Sequence, residues 1–205
     1  YLSVLRFKIA NMRLFLLGFI LALFSCGTTS EEENTAMPRP KGYPAMDMPL
    51  HQYQSLEKGH PFAFELSRWA EVKKDTFALA EAHWMYIYYP RWDAFIQLTY
   101  KSVGGDRKKL EKMIRDSYVL ASKHQMKANR IEDAILTTRE GRKATIIELE
   151  GEVATPFQFF ATDSTTHFLR GAVYLNTAMK NDSLAPVIQY LKQDAIHLIQ
   201  TLRWK

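Results

Sequence analysis

The single cysteine of the chain, Cys26, limits the possible architectures most strongly, because it directly follows a short apolar segment near the N-terminus. Residues 14–24 are apolar throughout, with Arg13 before them and Ser25 and Gly27 on either side of the cysteine. A basic start, a short apolar stretch and small residues at its end are typical of a secretory signal peptide. The stretch is about half of the roughly 20 residues that a membrane-spanning helix needs. The sequence therefore predicts export, with no disulfide in the exported domain.

The end of this segment also carries a modification signal. Leu23-Phe24-Ser25-Cys26 resembles the bacterial lipobox, with a leucine three residues before the cysteine and a small residue directly before it. In that family of signals the thiol receives a diacylglycerol, the chain is cut before the cysteine, and the new amine is acylated, often with palmitate. We therefore expect lipidation at Cys26; the alternative is a buried cysteine behind an ordinary signal peptide. Several acyl chains hold a protein on a membrane, since each buried CH₂ contributes about 0.8 kcal/mol.

These signals divide the chain into three parts. Residues 1–25 are predicted to be an upstream extension plus the signal peptide, with translation starting at Met12. Residues 26–42 are predicted to be the lipidated cysteine and a flexible tether, and residues 43–205 a globular domain. Loss of residues 1–25 lowers the formal net charge from +5 to +2. The basic composition is therefore no argument for a nucleic-acid partner, and we expect none.

The apolar pattern from residue 43 onwards predicts an α+β domain. Alternation and aromatic content predict strands, and apolar residues at helical spacing predict helices. The predicted strands are 62–66, 83–89, 94–101, 144–150, 155–162 and 167–175, and the predicted helices are about 106–127 and about 183–202. Strands, helix, strands and helix in one domain favour a mainly antiparallel sheet covered on one face by two main helices. This two-layer sandwich resembles the layout of PsbP/Mog1-like domains.

Only one polar cluster, residues 162–167, contains the residue types of an acid–base site. A hydrolase would require Asp163, Ser164 and His167 to converge within hydrogen-bond distance. Asp and Ser are also the residues that a hairpin turn favours, because their side chains bond to nearby backbone. We therefore expect a turn at this position, no catalytic residues, no enzymatic activity and no cofactor.

An aromatic run, Trp84-Met85-Tyr86-Ile87-Tyr88-Tyr89, precedes Pro90 and is followed by Trp92. A strand of this composition is commonly buried on both faces of a sheet. If Tyr86, Tyr88 and Trp92 are instead exposed on one surface, they form a candidate protein interface, because Tyr and Trp are enriched at interfaces.

An ordered set of short segments covers nearly the whole predicted mature chain. The segments are Lys41-Gly42-Tyr43-Pro44, Asp47-Met48-Pro49, Tyr53, residues 61–65, residues 84–90, residues 98–101, residues 158–171, residues 190–194 and Trp204-Lys205. In this order they resemble the gliding-motility lipoprotein GldD family of the Bacteroidetes, and the order makes the similarity specific.

The resemblance implies a lipoprotein of the cell envelope that is required for gliding and linked to type IX secretion. In that setting the protein is expected to assemble or stabilise other envelope proteins of the gliding machinery. The domain is expected in the periplasm or at the cell surface, and Gly27 slightly favours an outer-membrane anchor. The alternative is a periplasmic binding or carrier lipoprotein, which predicts an apolar cavity of several hundred Å³ between sheet and helices.

The chain also departs from the family at two positions. Cysteines are common in the family where this chain has His60 and His83. If the two positions are neighbours, a histidine pair replaces a disulfide, and such a pair is the nearest approach to a metal site in the sequence. Two ligands without a third do not make a structural zinc site, so we expect no metal.

Overall fold

The computed structural model describes residues 47–123, 127–176 and 181–205, which belong to a compact unit that extends from Gly42 to Lys205. The predicted signal peptide, Cys26 and the tether up to residue 42 lie outside the described residues. The strands are β1 (Tyr53–Ser55), β2 (Phe62–Ala63), β3 (Glu65–Ser67), β4 (Glu71–Lys74), β5 (Met85–Tyr89), β6 (Ala94–Ser102), β7 (Ala128–Thr137), β8 (Lys143–Gly151), β9 (Phe157–Thr162), β10 (His167–Leu175) and β11 (Arg203–Trp204). The α-helices are α1 (Arg107–Ser122) and α2 (Asn181–Thr201).

Seven of these strands form one antiparallel sheet, in the order β4-β5-β6-β10-β9-β8-β7. In its central strand, β10, Gly171 lies opposite Leu98 of β6 and Phe159 of β9. Two further strand pairs, β1 with β3 and β2 with β11, lie outside this sheet. The pairing of β11 with β2 fixes the last residues of the chain against the region before the sheet.

Strands β8, β9 and β10 are buried on both faces of the sheet, and successive residues of each strand point to opposite sides. On β10, Leu169 and Val173 belong to the large core that also contains the apolar side of α2. Phe168, one residue before, belongs to the smaller core that contains Leu110 and Ala121 of α1. The two helices therefore pack on opposite faces of the sheet.

The predicted α+β class, with a mainly antiparallel sheet and two main helices, is confirmed. The layers differ from the prediction, which placed both helices over one face. The helices lie on opposite faces because β8, β9 and β10 carry apolar residues on both faces. Each face therefore needs a helix to bury its apolar side chains. Within the described residues, none of the helices combines the length and the hydropathy of a membrane span.

The predicted strand boundaries agree best with the observed ones where the buried residues alternate along the strand or follow one another without a break. β6 shows strict alternation, with Ile96 and Leu98 buried and Phe95 and Gln97 half-buried, as the sequence predicts. The predicted strand 62–66 is instead two strands, because β2 pairs with β11 while β3 pairs with β1. The prediction missed β4 and β7, the two edges of the sheet, since their residues are mostly exposed and leave no apolar pattern.

Candidate functional site

The part of the sheet formed by β4, β5, β6 and the C-terminal end of β10 carries an open aromatic surface on the α1 side. Helix α1 makes its main contacts with β9 and β10, and so leaves β4 and β5 uncovered. Four half-buried rings point outward there, and none of them packs against either apolar core of the described residues. We call this surface the aromatic face, and it consists of Tyr86, Tyr88, Phe95 and Tyr174.

Strand alternation creates the aromatic face. On β5, Met85, Ile87 and Tyr89 are buried toward α2, which directs Tyr86 and Tyr88 to the other side. Register then aligns the partners, since Tyr88 lies opposite Phe95, and Phe95 lies opposite Tyr174. The sequence therefore contains the information for this surface, but only the pairing of β6 with β10 brings in the last ring.

Three of the four rings form a continuous array, and the fourth, that of Tyr88, is held by a lysine. The ring of Phe95 meets that of Tyr86 edge-on at 5.1 Å and stacks on that of Tyr174 at 5.0 Å. Both geometries are favourable for aromatic pairs. The Lys73 ammonium lies 3.6 Å above the ring of Tyr88, a cation–π contact. The array is therefore preorganised rather than a set of independently moving side chains.

Polar groups surround the rings. The hydroxyl of Tyr88 donates to Asp93 at 3.1 Å, and Asn176 donates to the same carboxylate oxygen at 3.2 Å. Gln97 donates to buried Asp75 at 3.2 Å. Burial, followed by a hydrogen bond to Asp75, raises the pKa of the Tyr86 hydroxyl. An apolar centre with a polar rim is the usual anatomy of a protein–protein interface.

Trp92, the third residue of the predicted interface, is not part of the aromatic face. It follows β5 in a short 3-10 helix, Pro90–Trp92, and packs against the core on the α2 side. Its ring lies 4.8 Å from that of Tyr190 and 6.1 Å from that of Tyr89. The structure therefore brings Tyr86 and Tyr88 together, adds Phe95 and Tyr174, and places Trp92 elsewhere.

His60 and His83 are neighbours, although 23 residues separate them in the sequence. Their Nδ1 atoms are 3.2 Å apart, which fits one N–H···N hydrogen bond between the two rings. Burial, and then the proximity of His83, lowers the pKa of His60. Among the described residues, no three His, Cys, Asp or Glu side chains come close enough to hold a metal ion. The pair thus joins the β2 region to the start of β5.

This pair predicts a loss of stability in mild acid. Because the pKa of folded His60 lies below the unfolded value of about 6.5, the unfolded chain binds more protons as pH falls through that value. We expect the free energy of unfolding to fall between pH 7.5 and 5.5, with a His60 contribution below about 1 kcal/mol because water screens the pair. Replacing His83, which has a φ of 70°, by asparagine should flatten this fall.

Urea unfolding of the wild type and His83→Asn at both pH values measures the difference in slope. His197→Gln serves as the matched control, because His197 bonds to Glu65 rather than to another histidine. An unchanged slope in His83→Asn would contradict the predicted coupling.

The polar cluster at residues 162–167 forms the turn between β9 and β10. Oδ1 of Asp163 accepts hydrogen bonds from the backbone amides of Thr165, Thr166 and His167 at 3.0, 2.8 and 2.8 Å. Burial alone would raise the pKa of Asp163, but these amides and the Thr165 hydroxyl lower it. His167 points away, with Nδ1 2.9 Å from the hydroxyl of Tyr100, and no hydrogen bond joins the Ser164 side chain to either group. The three groups of the hydrolase alternative therefore do not converge.

Asp163→Ala is expected to lower the free energy of unfolding by about 1–2 kcal/mol at pH 7, because three amides lose their acceptor. The pKa of folded Asp163 lies below the unfolded value of about 3.9, so this contribution is complete above that value and is lost as pH falls through the folded pKa. Chemical unfolding at pH 7 and pH 3 tests the dependence. Ser164→Ala is the control, with an expected change below about 0.5 kcal/mol.

A buried polar cluster that the sequence did not reveal lies on the opposite face. Asp194 of α2 is 2% exposed and accepts hydrogen bonds from His51 at 2.7 Å and from the Tyr89 hydroxyl at 2.9 Å. Burial and the charge of Asp194 raise the pKa of Tyr89, and the same causes raise that of Tyr53. Residue spacing provided no signal for this cluster, since His51 and Asp194 are 143 residues apart in the chain.

This cluster holds the segment that leads from the predicted tether into the domain. His51 stacks on Tyr190 at 4.1 Å, and Tyr53 stacks on His197 at 3.4 Å. Arg91 donates to the carbonyl of Asp47 at 2.7 Å. Contacts of the rings and of charged groups therefore attach residues 47–53 to α2 and to the 3-10 helix that follows β5.

Comparison with known proteins identifies one family. The sequence model of the family described as gliding motility lipoprotein GldD matches residues 33–204. This range contains the aromatic face, the histidine pair and the Asp194 cluster. No curated protein matches the chain.

Among solved structures, the chain is similar to the solution structure of cyanobacterial PsbP (CyanoP) from Synechocystis sp. PCC 6803. The two are 8% identical, the match covers 79% of this chain and 98% of that chain, and the TM-score is 0.48. A likeness of this degree supports no inference about function.

Proposed function

The chain belongs to the gliding motility lipoprotein GldD family, and from this premise we propose that it assembles or stabilises the gliding and type IX secretion machinery through protein–protein contacts. Family membership implies a membrane-anchored lipoprotein of the cell envelope that works with other motility components. We further propose that Cys26 carries the lipid, that the outer membrane holds it, and that the protein acts without catalysis.

The aromatic face is the observation that supports this proposal. It offers aromatic anchors that are held in place by their neighbours and ringed by polar groups, the arrangement of many binding hot spots. The occupant that we propose is a polypeptide of the motility machinery within the envelope, because an anchored domain meets its partners there. Lipid acyl chains are a poorer fit, since Lys73, Asp93 and Asn176 close the rim with charges and amides.

The carrier alternative has less support. It required an apolar cavity between the sheet and a helix. The side chains of the core fill the space between α2 and the middle of the sheet, where Ile87, Leu98, Leu169 and Leu191 are at most 1% exposed. A cleft of about 410 Å³ lies where α2 meets β8 and β9, but Glu148, Gln189 and Lys192 are among its lining residues, so it is not an apolar cavity.

The proposal is tested by removing the rings without changing the fold. We expect the double variant Tyr86→Thr, Tyr88→Thr to lose gliding and to retain normal lipoprotein levels, since threonine keeps the strand preference. Ile135→Thr is the matched control, because Ile135 is an apolar strand residue at the other edge of the sheet and is 66% exposed. Gliding speed and crosslinked purification of the lipoprotein from gliding cells are the measurements.

A second control separates anchoring from docking. Cys26→Ala should weaken recovery of motility components even with the aromatic face intact. Normal gliding and unchanged recovery of those components by the Tyr86, Tyr88 double variant would overturn the docking role of the aromatic face. Recovery of a small molecule in place of any protein partner would instead support the carrier alternative.

A further inference from the structure

A cleft of about 220 Å³ opens between α1 and the sheet, directly beside the aromatic face. Trp84 forms the connection, since it precedes Tyr86 by two residues and points to the same side of the sheet. Its apolar lining residues are Trp84, Met113, Leu120 and Phe168, and its polar ones include Thr99 and Arg170 on the sheet side.

Arg170 is the charged group on the floor of this cleft. It lies on β10, opposite Thr99 of β6, and donates from one Nη atom to the amide oxygen of Gln158 at 2.6 Å. Gln158 is 2% exposed and donates to Thr155 at 2.9 Å, which fixes its orientation. The guanidinium is therefore held in place by neutral groups.

This guanidinium lacks an anionic partner among the described residues, where no carboxylate lies within ion-pair distance of it. Burial lowers the pKa of Arg170, which reflects the cost of keeping the charge away from water. A guanidinium has five N–H donors, and the Gln158 contact uses one. Charged groups held away from water are normally paired, so a half-buried arginine that lacks an anionic partner in a cleft indicates a site for an external anion.

The neighbouring charges do not supply that anion. Asp116 lines the cleft, but its Oδ2 accepts from Lys112 of the same helix at 2.9 Å. Lys101 is paired with Glu81, and its ammonium lies 5.6 Å from the ring of Trp84. Arg170 is thus the one cation on this floor, within the described residues, whose charge is not already matched.

We propose that Arg170 binds the carboxylate of an aspartate or glutamate side chain presented by the polypeptide that docks on the aromatic face. This inference rests on the proposed function and names the chemistry of the partner. A guanidinium binds a carboxylate through two parallel hydrogen bonds, and the apolar walls accommodate the methylene groups of the acid. The volume suits a single side chain, because pockets for whole small molecules measure about 300–1,000 Å³.

The first test uses the purified ¹⁵N-labelled lipoprotein in detergent micelles. The probes are N-acetylglutamate methylamide, its neutral glutamine analogue and inorganic phosphate. We expect a saturable shift of the Arg170 Nε–H resonance with the carboxylate probe and no shift with the neutral one. A response to phosphate alone, or to none of the three, would overturn the assignment of a carboxylate.

The second test measures the contact in gliding cells. A photo-crosslinking benzoylphenylalanine at position 120 reports on the cleft, and one at position 88 reports on the aromatic face. We expect Arg170→Gln to lower the yield of protein adducts at position 120 about tenfold, and Arg170→Lys to lower it less, since one charged hydrogen bond survives. Arg115→Gln, on the exposed side of α1, is the matched control and should leave the yield unchanged.

The two positions distinguish the failure of this inference from that of the proposed function. Adducts at both positions that are insensitive to Arg170→Gln would overturn the arginine contact and leave the docking role intact. No adduct at either position in the wild type would overturn both. If Arg170→Gln lowers the thermal midpoint of unfolding, its adduct yield does not test the contact by itself. The adduct yield of Arg170→Lys and the titration of the Arg170 resonance then test whether the arginine binds a carboxylate. Replacing the crosslinked partner's acidic residue by its amide should lower the yield as Arg170→Gln does, with no further loss in the combination.

Discussion

Replacing Gly171 by alanine is expected to lower the free energy of unfolding by about 2–3 kcal/mol, with a larger loss for valine. A Cβ atom at this position would lie 2.2 and 2.3 Å from two ring carbons of Phe159. Phe159 is 1% exposed and packs within the main core, so its ring cannot move without displacing other buried side chains. The backbone of Gly171 lies outside the left-handed region, and the requirement for glycine is therefore steric rather than conformational.

Chemical unfolding of the variants measures this effect. The matched control is Ala134→Val in β7, which adds carbon atoms to an exposed strand and should change stability by less than about 0.5 kcal/mol. Phe159→Leu should recover part of the loss in the Gly171→Ala background, because a smaller side chain leaves room for the Cβ atom. Additive losses in the double variant would show that the ring contact is not the cause.

Asp194→Ala is expected to lower the free energy of unfolding by about 3 kcal/mol, because it removes one partner from a buried, hydrogen-bonded pair. The hydroxyl of Tyr89, 1% exposed, would lose its acceptor, and His51 would lose the group that holds it at 2.7 Å. We also expect faster amide exchange in residues 50–55, since the His51 contact attaches this segment to α2. Urea unfolding and hydrogen exchange measure the two effects.

Asp194→Asn is the matched variant for this prediction. Its amide oxygen still accepts from Tyr89, so we expect a smaller loss of stability than with alanine. Lys192→Ala is the control for a change elsewhere on α2, because Lys192 pairs with Glu148 of β8 and not with His51 or Tyr89. Faster exchange in residues 50–55 of Lys192→Ala would indicate general weakening of α2 instead of release of one segment.

The candidate interface shows how far the sequence alone leads. The aromatic composition of residues 84–89 predicted a strand that is commonly buried on both faces, and it offered Tyr86 and Tyr88 as an interface only if they were exposed. Trp92 was grouped with them by proximity in sequence, yet Pro90 ends the strand and the chain then turns toward α2. Phe95 and Tyr174 were missed, since their place beside Tyr86 depends on the pairing of three strands.

The sequence by itself determined the features that depend on neighbouring residues. These are the α+β class, the alternation of β6 and the Asp163 turn. Only the tertiary structure decided which distant groups meet: His51 with Asp194, His60 with His83, and Arg170 with a cleft whose described residues leave its charge unmatched. The reason is physical, because periodicity fixes the face on which a side chain lies, while strand order and helix placement fix what it faces.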